Sequence, residues 1–112
     1  MSNPFTQEIL SFFENIEKYY GSKTEISECI CTDIENFEPE KASWNLFEFE
    51  LFRSAYRKTG EKFILEGKGF YIEIAAEKII DFKKNGRNKF EFIEKYSESV
   101  FRITKIRFHY KY

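Results

Sequence analysis

The first ordered pattern in the chain is helical. Phe5, Ile9, Phe12, Phe13, Ile16 and Tyr20 recur at spacings of three and four, while Gln7, Glu8, Ser11, Glu14, Asn15 and Lys18 fall elsewhere. This predicts one amphipathic helix over residues 4–20. Asn3 suits the cap, Pro4 the first helical position, and Gly21 the C-terminal stop. Each well-buried member of the stripe contributes about 1.5–3 kcal/mol, so the stripe is expected to dock on a sheet.

The period then changes to two. Residues 24–34 (TEISECICTDI) fit either a strand face or a helix stripe through Ile26, Ile30 and Ile34. Their Ile, Thr and Cys content favours a strand. Residues 44–57 (WNLFEFELFRSAYR) read as one long strand, with Phe47, Phe49 and Leu51 alternating with Glu48 and Glu50. Trp44, Leu46 and Phe52 lie on the opposite parity, which predicts a twist or bulge, or burial on both faces at the ends. Residues 58–61 (KTGE) form a turn. Two short runs follow around Gly67 and Gly69, where a bulge or tight bend is expected. Residues 78–83 read as another strand, and Asn85-Gly86 is the strongest hairpin signal in the chain. Residues 89–98 admit a returning strand or a short helix, and residues 100–110 form a last strand. The expected fold is one α+β domain over residues 1–112: an N-terminal helix on a mainly antiparallel, aromatic-rich sheet.

Composition agrees with one folded unit. The chain has 112 residues, with fourteen Phe and seven Tyr, too much burial energy for a disordered chain. No apolar run approaches the length needed to span a bilayer, and MSNPFTQEIL lacks the n- and h-regions of a signal peptide. A cytoplasmic protein with no membrane partner is therefore expected. Cys29 and Cys31 would point the same way on a strand, a poor geometry for a mutual disulfide. Two thiols with the single His109 do not make a tetrahedral metal site, so no metal or cofactor is expected.

Charge changes this picture more than composition does. Residues 1–50 carry eleven acids against three Lys, a net of −8; residues 51–112 carry eight acids against fifteen Lys and Arg, a net of +7. Such asymmetry fits a charged partner or internal attraction between the halves. The densest acidic stretch is DIENFEPE, residues 33–40. Asp33, Glu35, Glu38 and Glu40 could occupy a basic cleft on another protein, with Phe37 and Trp44 as apolar anchors. At the other extreme, RITKIRFHYKY interleaves Arg102, Lys105 and Arg107 with aromatics including Tyr110. That pattern can hold a phosphate backbone and stack bases. No set of residues has the spacing of a catalytic site. Cys29 or Cys31 with His109 lacks local support as a nucleophilic pair, and GKG at 67–69 lacks the context of a phosphate loop. A non-enzymatic protein is expected.

The segment GEKFILEGKGFYIEIAAEKIIDFKKNGRNKFEFIEKY (60–96), with its glycine-hinged hairpins and Phe-rich continuation, resembles small bacterial immunity proteins of contact-dependent inhibition and related polymorphic-toxin systems. The acidic bias and single small domain add to the likeness. The resemblance implies a cytoplasmic inhibitor that binds and blocks one cognate toxin, often a nuclease. It assigns no residue, so the candidate toxin-binding residues are those of the charge argument alone.

Overall fold

In the computed structural model, residues 5–109 are described. Asn3, Pro4 and Tyr110 lie outside them. Helix α1 (Thr6–Glu14) leads into a 3₁₀ turn over Ile16–Tyr19. Seven strands follow: β1 (Lys23–Cys31), β2 (Asn45–Arg57), β3 (Lys62–Gly67), β4 (Phe70–Ala75), β5 (Ile79–Gly86), β6 (Lys89–Ser97) and β7 (Val100–Phe108). All pairings are antiparallel, in the order β4-β3-β2-β1-β7-β6-β5. The α+β expectation holds.

The helix differs from its predicted span. The α-helix ends at Glu14, and the tighter 3₁₀ turn advances the stripe by three residues, from Ile16 to Tyr19. Tyr19 is therefore the buried residue, 2% exposed, whereas the expected Tyr20 is 37% exposed. Residues 24–34 resolve as strand up to Cys31, and residues 89–98 resolve as strand β6, not as a helix. In β2 the parity conflict is met by a register shift between Leu51 and Arg53, so Phe47, Phe49 and Leu51 face inward while Phe52 is 49% exposed. The Asn85-Gly86 hairpin exists, but its turn residues are Arg87 and Asn88. A shift between Lys84 and Gly86 in the β5–β6 register leaves Gly86 paired with Lys89 inside the ladder.

The strand order forces the sheet to roll. The two edge strands, β4 and β5, are consecutive in sequence and joined only by Ala76–Lys78. A flat sheet would hold them about 29 Å apart, six spacings of about 4.8 Å, whereas so short a link spans about 14 Å at most. Rolling encloses an aromatic interior. Phe12 of α1 lies at its centre, with ring centroids 4.6 Å from Phe90, 5.6 Å from Phe92 and 5.7 Å from Phe82. Phe13 stacks on Phe63 at 4.1 Å, and Tyr19 on Phe108 at 3.9 Å. The helix thus plugs one mouth of the rolled sheet.

On the outer face Cys29, Ile93, Phe101 and Ile103 make a second buried patch outside the main core. Both cysteines are free thiols, and burial pushes each thiol pKa up. No helix among the described residues is long and apolar enough to cross a membrane.

Replacing Phe12 with Ala should cost about 3–5 kcal/mol in urea unfolding. Leu10→Ala, two residues away on the same helix but 39% exposed, should stay within about 0.5 kcal/mol. Equal losses at the two positions would contradict the docked-helix arrangement.

Candidate functional site

The acidic connection between β1 and β2 is ordered by its own side chains. Asp33 accepts from the Asn36 side chain at 2.9 Å and from the Asn36 backbone N–H at 3.2 Å, closing a turn. These bonds, the side-chain one foremost, hold the Asp33 carboxyl below its usual pKa. Pro39–Lys41 form a 3₁₀ turn, and Trp44 Nε1 donates to the Pro39 carbonyl at 3.0 Å. Phe37 meets Trp44 edge-on at 6.0 Å. Both rings are half-buried, so they anchor the connection to the protein itself. Asp33, Glu35, Glu38 and Glu40 are exposed. Glu38 pairs with Lys41 at 3.1 Å; Asp33, Glu35 and Glu40 make no ion pair with a described residue.

The basic–aromatic residues of β7 do not form one surface. Lys105 faces outward and places Nζ 4.9 Å above the Trp44 ring, tying the two candidate sets together and drawing the acidic connection across the outer face. Arg107 is exposed beside Glu25 and Lys89 in the register. Glu25 itself pairs with His109 at 2.9 Å. Arg102 points to the opposite, inner side.

That inner side holds a cluster of which only Arg102 is among the sequence-based candidates. Glu94 on β6 is fully buried, and its Oε1 receives Arg102 Nε at 2.8 Å and Nη2 at 2.7 Å. Glu94 Oε2 accepts from the Ala75 backbone N–H at 2.8 Å and from the Tyr96 hydroxyl. Arg102 also donates to the Glu73 carbonyl. Glu73 and Ala75 belong to β4, the opposite edge of the sheet, so side chains of β6 and β7 satisfy edge groups that no strand pairs. Tyr96 is held well above the usual tyrosine pKa, first by burial and then by its hydrogen bond to Glu94. The signal for Glu94 was its parity: it continues the inward series Phe90, Phe92 in β6.

Beside this cluster, at the mouth away from α1, lies a cleft of about 360 Å³ walled by Phe47, Phe49 and Phe70, with Glu28 and Arg102 among its lining. Phe49 and Phe70 stack at 5.5 Å. Gly67 makes this possible: a Cβ there would stand 2.6 Å from the Glu50 carbonyl oxygen and collide with the Phe49 ring. Glu28 pairs with Asn45 across β1 and β2, so the cleft opens at the end of the sheet from which the acidic connection departs. Among the described residues, no group of three His, Cys, Asp or Glu is placed to hold a metal.

No protein-family model, no curated protein and no solved structure matches the chain.

Asp33 contributes stability that is present above the ordinary aspartate pKa and is lost as pH falls through its depressed folded value. An NMR pH titration should show its carboxyl titrating below the usual range, and Asn36→Ala, which removes the side-chain bond and keeps the backbone one, should raise it toward the ordinary value. An unchanged titration in that variant would remove Asn36 as the cause.

Proposed function

We propose that this protein is a binding module that neutralises a basic protein partner, in the manner of an immunity protein blocking a toxin such as a nuclease. The observation that carries the reading is the state of the 33–40 segment. Its carboxylates are exposed, three of the four lack an ionic partner among the described residues, and the segment is pinned by Phe37, Trp44 and Lys105. Repulsion among carboxylates disfavours such a cluster, so a partner's positive charge would relieve it. Pinning also lowers the ordering cost of association. Phe37 and Trp44 are half-buried and pack on each other, so the exposed groups offered to the partner are mainly Asp33, Glu35, Glu38 and Glu40. A nucleic-acid surface through Arg102, Lys105, Arg107 and Tyr110 is the weaker reading, because Arg102 and Lys105 are engaged internally.

Co-expression with the product of the neighbouring gene should yield a complex that co-purifies. The double charge reversal Glu35→Lys/Glu38→Lys should slow association at least about tenfold at low salt, an effect that shrinks as salt rises. Failure to co-purify, or association indifferent to the reversal, overturns the reading.

A further inference from the structure

We infer that the cleft at the open mouth is a socket for a guanidinium group, the side chain of an arginine presented by the partner. This rests on the proposed binding role and adds a second contact to it. Charge selects the occupant. Arg102 gives its short contacts to Glu94 and to the Glu73 carbonyl, while its Nη1 stands 3.8 Å from Glu28, beyond hydrogen-bond reach. One guanidinium therefore faces two carboxylates, and Glu28, with its side chain 23% exposed, holds the longer of the two ion pairs. Aromatic residues make up much of the lining: Phe47 half-buried, Phe49 buried, Phe70 41% exposed and Tyr71 54% exposed. A carboxylate beside aromatic faces favours an organic cation. A planar guanidinium fits best, because it stacks on a ring while pairing with a carboxylate through two N–H groups. The cleft's volume of about 360 Å³ admits such a side chain. Its position next to the acidic connection lets one basic partner surface meet both.

The test uses the free protein, so it does not depend on finding the partner. N-acetyl-arginine amide is titrated at low salt and followed by NMR, with N-acetyl-citrulline amide as the uncharged counterpart. Saturable shifts are expected at Ile26, Phe47, Phe49 and Phe70. Binding should weaken at least about tenfold for citrulline and for Glu28→Gln. Phe47→Leu, which thins the half-buried wall without touching the charged cluster, should also weaken it, and covers the case in which Glu28→Gln fails to fold. No saturable shift at these residues, or equal binding of citrulline, overturns the socket. A protein that captures its partner but ignores the probe loses the socket and keeps its binding role; one that binds the probe but captures no partner does the reverse.

Discussion

The fold depends on one polar interaction, the clasp between Glu94 and Arg102. A seven-stranded sheet whose edge strands are joined by three residues has to roll, and rolling leaves the β4 edge facing β6 and β7 without a ladder. Unpaired edge groups turned toward an interior are costly. Glu94 accepts the Ala75 N–H, Arg102 donates to the Glu73 carbonyl, and the two pair with each other. A buried ion pair adds little net stability over an apolar pair of the same shape. Its value here is specificity, because it fixes which strand edge closes against which. Losing one member would leave the other charged and unpaired inside, at a cost of about 3–5 kcal/mol.

The clasp also divides the interior. On one side the space is filled by α1 and the aromatic cluster around Phe12. On the other it cannot be sealed by apolar side chains, because the clasp needs polar neighbours and brings Tyr96 and Glu28 with it. That mouth stays open as a cleft, next to the connection that carries the exposed carboxylates. The cleft is thus a consequence of how the sheet closes, while the acidic segment is tied to the outer face through Trp44 and Lys105.

Much of this was legible in the chain. The helical stripe and the alternation in β2 come from strict local periodicities, and both elements are present. The α-helix was overdrawn because a stripe at three-residue spacing continues through a 3₁₀ turn without a break, so Tyr19 and Tyr20 exchange roles. The Asn85-Gly86 signal found the hairpin and misplaced its turn, since a register shift takes Gly86 into the ladder. The acidic segment was visible as charge, but the packing of Phe37 on Trp44 and of Trp44 on Lys105 was not. Arg102 stood out in sequence only as one of several basic residues. Its partner Glu94 and the edge groups of β4 become neighbours only through closure, which no local pattern encodes.

A double-mutant cycle on Glu94 and Arg102 tests the clasp most directly. Urea unfolding of Glu94→Gln, Arg102→Met and the double variant gives the coupling between them. Each single change should cost about 3–5 kcal/mol, and the double should cost far less than their sum. Additivity within about 0.5 kcal/mol would mean that the two side chains act independently and that something else closes the sheet.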